Sequence, residues 1–352
     1  LVRDMSVSEF FEPFSFEGQK DITELGFPSS FPFPLALRLK DGPRPGLEEV
    51  VEAVTAISKS GVLFDLVQQH GGALLIRGLP IHTAADYSAV AHAFGLAAHE
   101  EIGRPPNRTV LAKNVKTANE GPPEMPIWPH NEYGWSTINP AWLTFSGFVT
   151  PESGFSRTSL PPKWSDRFDS AETVATSNTG NSVVGAYGQE ILPTDDALTR
   201  RKKIEREIQK HSNRWEWHDD GSLSVTHIVP LIRKHKATGL TTFFGNLTSA
   251  YGRSKHHGAT EPPFLGDDGG YHPLPTYGDG SPIPTKYLEL PLSIAEASQV
   301  LIKWTPGDLI LLDNYAVMHS RRPWTGERKV LTALWDEEGR IGDFKEGNFI
   351  CA

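Results

Sequence analysis

The sequence predicts a mainly β protein with flanking helices, its core a β-sandwich or barrel such as a jelly roll. Three observations lead there. Pro (28) and Gly (32) together make up about one residue in six of the 352, a composition that suits turns and long loops better than a helix bundle. Short β-branched or aromatic runs recur from residue 109 onward: "TVLAKNV" (109–115), "AWLTFSGFVT" (141–150), "LSVTHIVPLI" (223–232), "TTFFGNL" (241–247), "VLIKW" (300–304), "DLILLDN" (308–314) and "KVLTALWD" (329–336). Pro- and Gly-rich loops separate them, which is the pattern of many short strands closing on one another.

The elements follow in order. Residues 1–46 are rich in Phe and Pro, as in "LGFPSSFPFPLALRL" (25–39), and are expected to run extended over a core. "GLEEVVEAVTAISKSGVLFDLVQQHG" (46–71) has apolar residues at helical spacing and stops at glycines. "GALLIRGLP" (72–80) is a compact apolar run ended by Gly and Pro, a buried strand. "TAADYSAVAHAFG" (83–95) reads as a helix with Thr83 as N-cap and Gly95 as its stop. The β runs come next, interrupted by a helical insert near 195–212. No internal repeat and no linker divides the chain, so 1–352 reads as one domain. Its helical and extended part is 1–100 and its β core 105–340.

Charge and cysteine content exclude several functions. The net charge is −9, and the most basic stretch, "TRRKKIEREIQK" (199–210), mixes Lys and Arg with Glu at helical spacing. That is a solvated helix face, and nucleic-acid binding is not expected. Cys351 is the only cysteine, so the chain can form no internal disulfide, and neither a Cys-based zinc site nor a thiol nucleophile is expected. No apolar run approaches the roughly 18 residues needed to cross a membrane. A soluble, cytoplasmic protein is expected, while its oligomeric state is not legible.

"PHNEYG" (129–134) sets His130 and Glu132 two residues apart. On a strand such side chains share a face, yet the pair alone could equally be two surface residues. "WTPGDLILLDNYAVMHSRRPWTGERKVLTALW" (304–335) adds His319 after one apolar strand and Arg328 before another, and reads as a hairpin with one of these residues on each limb. Two His and one carboxylate on one face of Fe(II) leave positions open for a 2-oxo acid and O2. An arginine nearby can grip a distal carboxylate with a two-pronged contact.

These segments resemble the TauD/TfdA group of Fe(II)/2-oxoglutarate dioxygenases, in particular the clavaminate synthase-like proteins of plants and fungi. The likeness runs through "GGALLIRGLP", "TANEGPPEMPIWPHNEYG" and "PGDLILLDNYAVMHSRRPW…GERKVL", from about residue 70 to 335. It implies a double-stranded β-helix (jelly-roll) core, with His130, Glu132 and His319 as iron ligands and Arg328 on the far carboxylate of 2-oxoglutarate. The family's Gly-Gly-x-Thr stretch is replaced by "SGFSRTSL", where Thr158 is the nearest match to the threonine that also meets the co-substrate. Taurine-type members carry a second arginine four residues after the first; here that position is Thr332, which argues against a sulfonate substrate. Glu132, a ligating residue, argues against halogenation.

The implied activity is oxidation of an unactivated C–H bond of a small metabolite, an amino acid or derivative, with release of succinate and CO2. The implied partners are Fe(II), 2-oxoglutarate, O2 and a small-molecule substrate. A zinc hydrolase on the same ligands, or a non-catalytic β-sandwich that binds a ligand, is the alternative; the hydrolase would have no use for Arg328. Arg321 and Arg322 read as substrate contacts or as an exposed pair. Asn246 reads as a pocket residue or a turn cap, and Trp128, Tyr133 and Trp135 as core or as a wall that dries the site. His211, His218, His227, His235, His256, His257 and His272 lack partners at metal spacing in the sequence and read as structural or exposed.

Overall fold

Strand Leu309–Asp313 sets the layering. Leu309 and Leu311 point to one side of their sheet, Ile310 and Leu312 to the other, and all four are buried. A strand buried on both faces reads as a continuous apolar run, which is how this segment looks in the sequence. The structure, a computed structural model, describes residues 6–103, 108–118, 121–149, 156–157, 165–168, 183–219, 221–339 and 341–343.

Leu309–Asp313 belongs to a nine-stranded sheet. Ala73–Arg77 pairs with it on one side and Trp142–Val149 on the other, both antiparallel. Lys329–Asp336 then flanks Trp142–Val149 on its far side. The Phe- and Pro-rich N-terminal region extends the sheet: Leu35–Leu39 runs parallel to Ala73–Arg77, and Phe11–Pro13 pairs with it at the edge. Helices Leu47–Lys59, Val62–Gln69 and Ala84–His92 cover one face, burying Val54, Val67 and Val90 against Leu311, Leu331 and Trp335. The opposite face carries a second apolar cluster with Leu75, Leu143, Ile310, Leu312, Val330 and Trp304. Beyond it stands a three-stranded sheet in the order Ser156–Arg157, His319–Arg321, Ile127–His130. Phe145 of the large sheet meets His319 of the small one at 5.2 Å between ring centroids, so the space between the sheets opens onto the expected ligands.

Several expectations are corrected here. His319 and Arg328 do not sit on the limbs of one hairpin. His319 lies in the small sheet, while Arg328 precedes a strand of the large sheet that is separated from Leu309–Asp313 by Trp142–Val149. The chain crosses from one sheet to the other between them. The helix expected over 46–71 breaks at Gly61, whose φ of +79° favours glycine. "TVLAKNV" folds as two short strands, Val110–Ala112 and Val115–Thr117, turned at Asn114. "VLIKW" forms none of the named strands; Val300, Ile302 and Trp304 are buried at alternate positions in an extended segment. The insert contains helix Ala197–Gln209, capped by Asp196. Two long helices, Leu247–His256 and Thr285–Ser298, were not foreseen, nor were the short ones Val7–Phe10 and Val183–Tyr187. Leu247–His256 is mostly polar or small, and Thr285–Ser298 contains Pro291, which reads as a breaker. No helix among the described residues is long and apolar enough to cross a membrane.

The "TPGD" turn is held by its aspartate. Asp308 is fully buried, accepts from Nε and Nη2 of Arg77 at 2.9 Å each, and also accepts from the Thr305 backbone and hydroxyl. Asp308→Ala leaves Arg77 free to turn toward solvent but strips the turn of its acceptor. We expect a loss of about 2–3 kcal/mol, the value for hydrogen bonds to a charged group, measured by urea unfolding with an unchanged slope.

Candidate metal centre

The centre starts from a register. His130 and His319 are directly opposite one another across the pair Ile127–His130 and His319–Arg321, and their rings stand 4.3 Å apart between centroids. Nδ1 of His130 donates to the Trp128 carbonyl at 2.8 Å, which fixes the proton there and turns Nε2 toward the cavity. Glu132 does not lie on the strand, which ends at His130. The carboxylate reaches the same place because the chain turns at once, with Tyr133 at φ +52°, and the turn is pinned from two sides. The Glu132 N–H donates to Asn314 Oδ1 at 2.9 Å, and Gly245 N donates to Asn131 Oδ1 at 3.0 Å. A Cβ on Gly134 would stand 2.4 Å from Gly245 Cα, so only glycine lets these segments touch.

Glu132 Oε2 lies 3.7 Å from His130 Nε2 and 3.2 Å from His319 Nε2. One ligand atom from each of the three residues falls within 4.8 Å of the others. Its second oxygen, Oε1, accepts from Arg108 Nη2 at 2.5 Å. Arg108 was not singled out in the sequence: it stands 24 positions before Glu132, in no motif. It also approaches Glu101 at 3.5 Å, and Glu101 pairs with Lys116 and accepts from the Tyr133 hydroxyl. Burial would raise the Glu132 carboxyl, but Arg108 and the two histidines outweigh it and hold it well below the usual carboxylate range. Burial, with His130 alongside, pushes His319 down to about 4. It is therefore neutral at physiological pH, the form that can ligate.

A cavity of about 70 Å³ between the sheets joins these residues to Ala118, Ile127, Phe145, Arg321 and Arg328. Arg328 has no carboxylate partner among the described residues; its guanidinium lies 5.2 Å from the centroid of the Trp324 ring. Burial lowers it only to about 10, so it stays charged. Arg321 donates to the carbonyls of Pro122 at 3.1 Å and Met125 at 2.8 Å and stacks on Trp324, which makes it a clamp on that loop and not part of an exposed pair. Thr332 donates to the Thr144 carbonyl within the large sheet.

Trp128, Tyr133 and Trp135 are absent from the cavity lining. Trp128 packs on His256, and Tyr133 on Trp135; the apolar wall is Phe145 with Ile127 and Ala118. Asn246 sits at the turn into helix Leu247–His256. Thr158 lies outside the described residues, and of Arg157 only the backbone is described, paired with Ser320. Of the histidines read as structural, His211, His227 and His235 are buried, while His257 and His272 gather with Asp268.

The donor set suits a divalent transition ion with open positions. Residues 50–335 match the family "Taurine catabolism dioxygenase TauD, TfdA family". A clavaminate synthase-like protein of Arabidopsis thaliana, At3g21360, is 26% identical over 289 residues, 77% of this chain and 83% of that protein. The dapdiamide synthesis protein DdaC of Enterobacter agglomerans is 25% identical over 289 residues, 77% and 84% respectively. The solved structure of an asparagine oxygenase with Fe(II), 3-hydroxyasparagine and succinate aligns over 82% of this chain and 83% of its own, at 12% identity and a TM-score of 0.43.

The Arg108–Glu132 pair sets up a test without turnover. Removing one partner of a buried pair costs about 3–5 kcal/mol, so Arg108→Ala is expected to destabilise the metal-free protein by about that much. A carboxyl depressed in the fold contributes stability that is present above its unfolded value of about 4.3 and lost as pH falls through the folded one. Thermal melts should therefore show the gap between wild type and Arg108→Ala widest near neutral pH and closing below about pH 4. Fe(II) or Zn(II), as a replacement counter-cation, should narrow the gap at pH 7.

Proposed function

We propose that the chain, which belongs to the TauD, TfdA family and is an Fe(II)- and 2-oxoglutarate-dependent dioxygenase, holds its iron on His130, Glu132 and His319 and its 2-oxoglutarate on Arg328. Its reaction oxidises an unactivated C–H bond of a small metabolite, an amino acid or derivative. The observation that carries the reading is the cross-strand placement of His130 against His319 with a Glu132 oxygen facing both Nε2 atoms. Residues 1–352 act in this reading as a single domain, with Thr158 as a second contact to the co-substrate.

Bound iron supplies the oxidising chemistry, consuming O2 and 2-oxoglutarate and releasing succinate and CO2. The protein's part is geometric and electrostatic. The Trp128 carbonyl orients His130, Arg108 occupies Oε1 of Glu132 and leaves Oε2 for the metal, and the Asn131 and Asn314 amides hold the loop between them. Phe145 and Ile127 keep water from the reacting face. Arg328 offers its planar fork to a carboxylate entering the cavity.

His130→Ala, Glu132→Ala and His319→Ala should each abolish succinate release from 2-oxoglutarate in the presence of a panel of amino acids and derivatives, assayed with saturating Fe(II) and ascorbate, while circular dichroism stays native. Near-normal turnover in any folded variant would remove that residue from the ligand set.

Arg328→Ala should leave iron binding nearly intact and weaken 2-oxoglutarate. Losing one partner of a buried charge pair costs roughly 2–5 kcal/mol, or about 30-fold to several-thousand-fold in affinity. Arg328→Lys should recover only part, since a point charge cannot reproduce a two-pronged contact. Anaerobic titration of the Fe(II) protein, followed by its charge-transfer band, reads this directly; an unchanged midpoint would assign the co-substrate to another cation such as Arg157 or Arg322.

A further inference from the structure

Away from the facial site, a second set of side chains has the geometry of a metal site. His257 closes helix Leu247–His256. The chain then folds back on itself, with Leu265 bridged to Tyr271, and brings Asp268 and His272 up to His257. One ligand atom from each of the three lies within 4.8 Å of the others. His257 Nε2 is 3.7 Å and His272 Nε2 is 3.2 Å from the same oxygen, Asp268 Oδ2. Ligand atoms on a tetrahedral zinc with bonds near 2.0–2.1 Å stand about 3.3 Å apart, and the two distances bracket that value.

The surroundings are those of a built site. Nδ1 of His257 donates to Asp267 Oδ1 at 2.8 Å, which leaves Nε2 with its lone pair facing Asp268. This carboxylate–histidine arrangement orients metal ligands in many proteins. His257 and His272 are 7% and 2% exposed, and their rings stack at 4.5 Å and 6°. His272 has no side-chain hydrogen-bond partner but Asp268 among the described residues. Two glycines keep the space open. A Cβ on Gly270 would stand 2.9 Å from His272 Nε2, and one on Gly266 2.6 Å from Asp268 Oδ1. Asp267 and Asp268 both bring carboxylates to His257, a local charge that favours a divalent ion.

We propose that His257, Asp268 and His272 bind a second divalent metal ion, zinc by its donor set, with water completing the shell. The ion pins residues 257–272 to the end of helix Leu247–His256. That helix is the support of the His130 strand: a Cβ on its Gly252 would meet the Trp128 ring at 2.3 Å, and its Thr248 hydroxyl donates to the Pro129 carbonyl. The second ion therefore has a structural role beside the facial centre and does not depend on how that centre is used.

The test separates the two sites. A His130→Ala/His319→Ala protein lacks the facial ligands, and after chelator treatment and re-addition of Zn(II) it should retain one zinc per chain by elemental analysis. Its melting temperature should rise with zinc, and Co(II) in its place should give tetrahedral visible bands. Adding Asp268→Ala should remove stoichiometric zinc, the Co(II) bands and the zinc-dependent rise together. Asp267→Ala, which spares every ligand, should weaken zinc about 10–100-fold. Gly270→Ala, which keeps the ligands but fills the space, should also lose the ion. Failure of the facial-site variant to hold zinc, or equal zinc binding with and without Asp268→Ala, would overturn the proposal.

Discussion

The tie between Asn131 and Asn314 is the interaction on which the candidate centre depends. Both residues are almost wholly buried. Asn131 donates to the carbonyls of Asn314 and Val317, and Asn314 donates to those of Glu132 and Pro140 while accepting from the Glu132 N–H. The chain between His130 and Gly134 has left its sheet, so its backbone groups lack ladder partners. The two amides supply them, and in doing so tie the loop carrying Glu132 to the segment that leads into His319. A buried polar network of this kind is rigid when complete and costly when broken. Glu132 can thus hold its position between two histidines without being part of a strand.

The second constraint comes from behind. Helix Leu247–His256 lies against the strand that ends in His130, through Gly252 under Trp128 and Thr248 on Pro129. Gly245, just before the helix, touches Gly134 and bonds Asn131. His130 is therefore fixed by its cross-strand partner, by its own hydrogen bond to Trp128 and by a helix on its far side. Ligands fixed to fractions of an ångström need supports of this kind, since a loose first shell loses the geometry the chemistry requires.

What the sequence made legible and what it hid divide along physical lines. The central strands were readable because apolar periodicity is local: Ala73–Arg77, Trp142–Val149, Leu309–Asp313 and Lys329–Asp336 all fall where the apolar runs place them. The ligand candidates were readable because a two-residue spacing and a distal histidine survive in the chain. The route between His319 and Arg328 was not, because sheet membership is set by pairing with distant strands; a crossover and a hairpin look alike along the sequence. Helix Leu247–His256 was hidden by its composition, since it is stabilised by packing on Trp128 and on Leu288 of the next helix rather than by a clean apolar stripe. Arg108 and the pairing of His257 with His272 were invisible for one reason: each matters only through a partner that folding brings near. The excess of arginine in the cavity segments was the one signal that could have pointed to Arg108.

That excess has a physical meaning. The chain as a whole carries −9, yet the cavity is lined by Arg108, Arg321 and Arg328 against a single carboxylate, Glu132. Arg108 is spent on Glu132, and Arg321 spreads its charge over the Pro122 and Met125 carbonyls and the face of Trp324. Arg328, which has no carboxylate partner among the described residues, lies against the ring of Trp324. A partly buried cation in that state is costly, and an acidic side chain beside it would remove the cost. It would also close the site, because a cation neutralised internally gains nothing from an entering anion. With no carboxylate beside Arg328 among the described residues, the proposed role leaves that cost in the ligand-free protein, to be recovered when an anionic co-substrate binds. The same reasoning applies to Glu132: Arg108 takes only one of its oxygens, and the other faces His130 and His319, where a bound cation would complete the cluster.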